Sequence, residues 1–148
     1  LKSHLFAVFA YSLETGKATQ LTDGMADADQ VAFDRGGKLL YFTASTDVGL
    51  ARAPLMSTIH MPQTRSVYVL VLASDTPSPL APESDEEKGP APPPKKDDAK
   101  PAPAKVKIDF EEVGQRVLAL PMRARNYVGL FAGKPGQLFL VEGPEVVR

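Results

Sequence analysis

The stretch "SVYVLVLA", residues 66–73, carries apolar side chains at nearly every position. A strand with one wet face alternates apolar and polar residues, because successive side chains point to opposite faces. This run does not alternate, and neither do "LFAVFAY" (5–11), "KLLYF" (38–42) or "QLFLV" (137–141). Strands of this kind need cover on both faces, and for antiparallel strands that means sheets stacked on sheets. A two-sheet sandwich leaves one face of each sheet in water and calls for alternation. A β-propeller meets the requirement, because each blade packs between two neighbours.

Turn signals organise the rest. An apolar strand from Leu5 to Tyr11 meets a tight turn at Thr15-Gly16 and a second strand near Ala18 to Leu21. The form repeats as a strand around Gln30 to Phe33, a turn over Asp34 to Gly37 and a strand from Lys38 to Ala44. In both hairpins glycine supplies the positive φ that the turn demands. A third strand runs from Ser66 to Ala73, and "NYVGLFAGKPGQLFLVEG" (126–143) is a further hairpin, with Pro135-Gly136 suited to a type II turn. This last unit resembles the one from Gln30 to Ala44, a weak internal repeat of the sort that propeller arrays show. The expected fold is therefore all-β, a partial propeller of about two to three blades of antiparallel strands.

Residues 82–105 break the pattern. They hold half of the chain's 14 prolines among Lys, Asp, Glu and Ala, with no aromatic or β-branched residue. Such a segment cannot offset its own ordering entropy, so disorder is expected, with a nonspecific protease cutting first between residues 82 and 106. An interdomain linker is the competing reading. Too few strands lie on either side for two separate domains, which favours an insertion inside a blade, between its third and fourth strands. Stretching a turn to that length costs only about 2 kcal/mol of closure entropy. The chain then divides into propeller blades at 1–81, the insertion at 82–105 and the continuing propeller at 106–148. In "IDFEEVGQRVLAL" (108–120) a helical reading competes, with Asp109 and Glu112 at capping-box spacing; Gly114 and the valines weigh against it.

Composition narrows the function classes. Lys plus Arg (17) nearly balance Asp plus Glu (18), so no net field draws the chain to nucleic acid or an acidic membrane. No apolar run approaches the roughly 20 residues of a membrane-spanning helix. The absence of cysteine excludes disulfides, thiolate metal sites and cysteine nucleophiles. No G-x-S-x-G elbow, H-E-x-x-H, P-loop or dinucleotide fingerprint is present. His4 and His60, with Ser3, Ser57 and Ser66 as conceivable neighbours, form no motif. Asp23, Asp27 and Asp29 in "DGMADAD" fail the EF-hand pattern and read as a turn cluster. No catalytic residue, metal or cofactor is expected. Lys95-Lys96 and Asp97-Asp98 read as solubilising charge. In "PMRARNY" (121–127), Arg123 and Arg125 sit at alternate positions beside Tyr127, a pattern that on a strand aims two guanidinium groups at a carboxylate or peptide terminus. Two solvated surface charges are the competing reading.

Two resemblances sharpen this. "VAFDRGGKLLYFTAS" (31–45) is similar to the repeat unit of TolB-like propellers through Phe33, Asp34, Gly37, Lys38, Leu39 and Tyr41, with Arg35-Gly36 where that family has Pro-Asp. The stretch from "DTPSPLAPESDEEK" through "KIDFEEVGQRVLALP" to "NYVGL" resembles the second propeller of bacterial tricorn-like proteases of the S41 peptidase family, in which a low-complexity insert interrupts a blade. Ile108, Asp109, Phe110, Gln115, Arg116, Asn126 and Tyr127 carry the match, and Glu111-Glu112 stand where the family has Asp-Gly. The resemblance implies a propeller segment that carries no catalytic residue, in a serine peptidase whose catalytic region lies elsewhere. It further implies peptides as ligands and a homo-oligomeric parent. A TolB-like interaction scaffold without a peptidase is the alternative. Beginning at Leu1 without a signal peptide, the chain reads as a piece of a longer polypeptide, and cytoplasmic and periplasmic locations both stay open.

Overall fold

The computed structural model describes residues 5–46, 63–81 and 106–144. Eight strands appear in it: β1 Phe9–Tyr11, β2 Ala18–Gln20, β3 Asp27–Phe33, β4 Leu39–Ser45, β5 Ser66–Val71, β6 Val117–Ala119, β7 Tyr127–Ala132 and β8 Leu138–Glu142. All pairings between them are antiparallel. They form a two-stranded sheet β1-β2, a four-stranded sheet β3-β4-β5-β6 and a second two-stranded sheet β7-β8. No α-helix occurs among the described residues. The all-β, antiparallel expectation holds at this level.

The continuous apolar runs are explained by the way these sheets stack. Side chains on one face of the central sheet, Leu40, Phe42, Ala44, Leu70 and Leu72, pack with Val8 and Leu21 from the β1-β2 unit. Those on its other face, Tyr41, Val67 and Val69, pack with Tyr127 and Leu130 of β7, and Leu138 and Leu140 of β8 close over them. Adjacent residues of a single strand thus belong to opposite cores: Val69 and Leu70 are both fully buried. Alternation is lost because β4 and β5 are covered on both faces.

Local chemistry sets the turns. Gln137 N–H bonds the Lys134 carbonyl at 2.8 Å with Gly136 at φ 76, the type II turn expected for Pro135-Gly136. At the other hairpin Gly37 N–H bonds the Asp34 carbonyl at 3.0 Å, and the Asp34 carboxylate accepts the Gly36 N–H at 2.8 Å. A Cβ at position 36 would meet that carboxylate oxygen at 2.7 Å, so a larger residue there would have to push the Asp34 side chain aside.

Strand limits differ from expectation where side chains capture the backbone. The first strand pairs only over Phe9–Tyr11, because Phe6 and Val8 donate their N–H groups to Asp27 Oδ1 and Thr22 Oγ1. The strand expected to open at Gln30 opens at Asp27, since a bulge between Asp29 and Ala32, with Gln30 at φ 51, carries the pairing past it.

β5 and β6 pair in register, Tyr68 with Ala119, Val69 with Leu118 and Leu70 with Val117, so the apolar runs on either side of residues 82–105 meet as expected of an insertion between neighbouring strands. Residues 82–105 themselves, with the disorder expected of them, lie outside the described residues, as do Ser3, His4, Ser57 and His60. The helical reading of residues 108–120 gives way to a single 3-10 turn, Val113–Arg116, that runs straight into β6. Asp109 caps no helix: its carboxylate is taken by Ser74.

A repeat is visible at the level of single hydrogen bonds. Beyond the three pairs of β1-β2, Leu21 N–H bonds the Val8 carbonyl at 2.8 Å. Beyond the three pairs of β5-β6, Leu120 N–H bonds the Val67 carbonyl at 2.9 Å. Val8 and Leu21 point at the central sheet, as Val67 and Leu120 point at β7-β8. The β1-β2 pair thus matches β5-β6 in its three pairs and its closing bond.

Candidate functional site

Arg123 and Arg125 do not lie on one regular strand. Met122 N–H bonds the Leu120 carbonyl at 2.7 Å around Pro121, a γ-turn that ends β6 and redirects the chain. Arg125 then forms an isolated antiparallel bridge with Arg65, with N–H to carbonyl bonds of 2.8 and 3.2 Å. Both arginines nevertheless line one open depression of about 360 Å³, together with Gln63, Asn126 and Glu142. The Tyr127 hydroxyl donates to the Arg123 carbonyl at 2.9 Å and ties down the backbone there.

The two guanidinium groups are not equivalent. Arg125 pairs with the Glu142 carboxylate at 3.4 Å, both side chains half exposed, so an incoming anion must compete for it. The Arg123 side chain is exposed and has no ion-pair partner among the described residues. The depression can therefore donate hydrogen bonds to a carboxylate or a peptide carbonyl, with Arg123 as the available charge.

Behind it lies a buried cation that has no signature in the sequence. Arg65 is only 9 % exposed; it donates to the Asp27 carbonyl at 3.4 Å and lies 3.8 Å from the Asp29 carboxylate. The aspartates of "DGMADAD" are thereby assigned separate tasks: Asp23 holds the Met25 N–H, Asp27 the Phe6 N–H, and Asp29 the Gln30 N–H and Arg65. Among the described residues no group of three His, Cys, Asp or Glu side chains converges as metal ligands.

The residues 108–116 that carry the family resemblance build something else, an anchor where the chain re-enters after residue 105. Asp109 accepts the Ser74 N–H at 2.9 Å and the Ser74 hydroxyl at 2.8 Å, and its own N–H bonds the Leu72 carbonyl at 2.9 Å. Arg116 donates to the Val71 carbonyl at 3.0 Å, the Glu111 carbonyl at 2.7 Å and the Asp109 carbonyl. Ile108 packs against the core face. Ser74 and Asp109, close in space though far apart in sequence, thus tie the segments before and after residues 82–105 together.

Glu112 sits in a strained backbone position within this anchor. Its φ is 49 and ψ 29, left-handed, the conformation in which a glycine costs nothing. The glutamate side chain bears the strain, so Glu112→Gly is expected to stabilise the fold by about 1 kcal/mol in urea unfolding.

Asp109 also gives the anchor a pH signature. Hydrogen bonds from the Ser74 backbone and hydroxyl hold its carboxyl below the usual carboxylate range; the nearby Lys107 ammonium adds to this and partial burial opposes it. A depressed pKa contributes stability above the unfolded value of about 4 and loses it as pH falls through the folded value. Asp109→Asn should be less stable than the parent chain at pH 7, with the gap narrowing toward pH 2 in denaturant midpoints measured across that range.

Comparison of the chain with protein-family models, with curated proteins and with solved structures finds no match.

Proposed function

We propose that this chain is a non-catalytic run of β-propeller blades from a tricorn-like serine peptidase, where the ring guides peptides toward a proteolytic site outside the chain. The observation that supports the blade reading is the layering. A complete four-stranded antiparallel sheet lies between a pair of strands equivalent to its own last two and a pair equivalent to its first two. Successive blades of a propeller cut at two points give this arrangement.

The peptidase part rests on the resemblance of residues 108–127 and on the role its residues have here. Ile108, Asp109 and Arg116 re-anchor the strand that completes a blade after an insertion. In this reading the Arg123 and Arg125 depression is a peptide contact at one end of the sheets, and exclusion of folded proteins by the ring is a function that needs no bond chemistry.

The test is the natural polypeptide that contains this segment. A downstream serine-peptidase region, with hydrolysis of short peptides that loses its size discrimination when residues 1–148 are deleted, is the expected result. A polypeptide with propeller repeats and no peptidase region overturns the peptidase reading in favour of a TolB-like interaction scaffold.

A further inference from the structure

The depression that holds Arg123 and Arg125 already contains one carboxylate, and it belongs to the protein. Glu142, the last residue of β8, lines the hollow and meets Arg125 through a single contact, Nη1 to Oε1 at 3.4 Å. We propose that Glu142 stands in the place of a ligand carboxylate, and that a peptide binds by presenting a carboxylate to Arg123 and displacing Glu142 from Arg125. The proposal rests on the peptide-contact reading of this depression and adds what is recognised and what competes for it.

Charge balance favours a carboxylate over a neutral carbonyl. Among the described residues that line the depression, the charged side chains are two guanidinium groups, Arg123 and Arg125, and one carboxylate, Glu142, a net charge of plus one. Arg65 lies behind them and already faces the Asp29 carboxylate at 3.8 Å. One incoming carboxylate neutralises the site, whereas a peptide carbonyl leaves the excess charge in place.

The internal pair is built to yield. A guanidinium group holds a carboxylate best through two parallel hydrogen bonds. Glu142 offers Arg125 one, and both side chains are half exposed, so the pair contributes little and exchanges readily with another carboxylate.

The backbone beneath is fixed without a ligand. Arg125 N–H and carbonyl are both bonded to Arg65, at 3.2 and 2.8 Å, and the same carbonyl accepts the Tyr127 N–H at 2.8 Å. On the far wall the Asn126 carbonyl accepts the Gly143 N–H at 2.8 Å, and the Asn126 side chain donates to the Pro144 carbonyl at 2.7 Å. A Cβ at position 143 would meet Val128 Cγ1 at 2.8 Å and the Asn126 amide nitrogen at 3.0 Å, so glycine lets the end of β8 come this close. Exchanging Glu142 for a ligand carboxylate then requires rotation of exposed side chains alone, which keeps the ordering cost of binding low.

A peptide carries a carboxylate at its C terminus or on an acidic side chain, and the test separates the two. Three N-acetylated peptides serve as probes: trialanine with a free C terminus, the same peptide as its C-terminal amide, and that amide with glutamate at the central position. Each is titrated into the 15N-labelled chain while the arginine Nε–H signals and the amides of residues 123–126 are followed. At least one carboxylate peptide should shift these signals, and the neutral amide should not. Glu142→Gln should tighten carboxylate binding about fivefold, the scale of an exposed ion pair. Arg123→Ala should abolish it and Arg123→Lys should retain part. Unchanged amide signals of Val69 and Leu118 verify the fold of each variant.

Binding of the free acid alone assigns a C-terminal carboxylate, and binding of the glutamate amide alone assigns an acidic side chain. A Glu142→Gln chain that binds no more tightly than its parent overturns the proposal. If the neutral amide binds as well as the acids, the carboxylate proposal falls and the peptide contact stands. If none of the three binds, in the parent or in Glu142→Gln, the peptide contact falls as well.

Discussion

Replacing Leu70 by Ala is expected to destabilise the fold by about 2–5 kcal/mol, and replacing its neighbour Val69 by Ala by about 2 kcal/mol. Leu70 is fully buried among Leu40, Phe42 and Leu72, on the face covered by β1-β2. Val69 is equally buried among Tyr41, Tyr127 and Leu130, on the face covered by β7-β8. In a sheet with one wet face, one of two adjacent strand residues faces water, and its truncation costs within about 0.5 kcal/mol. Urea unfolding of the two single variants therefore distinguishes a stacked sheet from a half-exposed one. Substantial loss in both is the expected result, and near-neutrality of either would mean that one flanking sheet does not cover the centre.

A second large effect is expected at Asp34. The residue is 6 % exposed and its carboxylate holds two turns at once: Oδ2 accepts the Gly36 N–H of its own hairpin at 2.8 Å, and Oδ1 accepts the Gly136 N–H of the β7-β8 turn at 3.0 Å. Hydrogen bonds to a charged acceptor contribute about 1.5–3 kcal/mol each, and losing the acceptor strands two amides. Asp34→Ala should cost about 3 kcal/mol in chemical denaturation, and Asp34→Asn roughly half of that, because the amide oxygen can still serve one donor. Amide exchange localises the loss: Gly136 N–H should exchange faster in both variants. Unchanged exchange at Gly136 would mean that the two turns are not joined. Tyr41 shares this environment; burial first, and then the Asp34 charge, push its hydroxyl pKa up.

These two residues mark what can and cannot be read from the sequence. Val69 and Leu70 announce themselves, because a continuous apolar strand needs cover on both faces, and between antiparallel strands stacked sheets supply it. The pairing of β5 with β6 across residues 82–105 was legible for a related reason, since a polar, proline-rich segment between two apolar runs cannot itself be core. Asp34 was legible as a turn residue only. Its bond to Gly136 spans 102 positions and exists because two sheets come to rest at a particular separation, which no local pattern encodes.

The same limit applies to the site. Arg65 stands in "QTRSVY" with nothing to mark it, and its burial beside Asp27 and Asp29 is a product of packing. Arg123 and Arg125 were found, but by a strand argument that Pro121 defeats; what joins them is the curl of the chain after Leu120 and the bridge to Arg65. Glu112 carries a conformational demand that the sequence hides, because glutamate is the wrong residue for a left-handed position.

The most direct test of the blade account is a structure of the natural polypeptide that contains this segment. The expected result is that β7 and β8 become the first two strands of a four-stranded sheet, that β1 and β2 become the last two of another, and that the sheets close into a ring around an axis. A β8 that remains a free edge, or sheets that stack without closing, would contradict it.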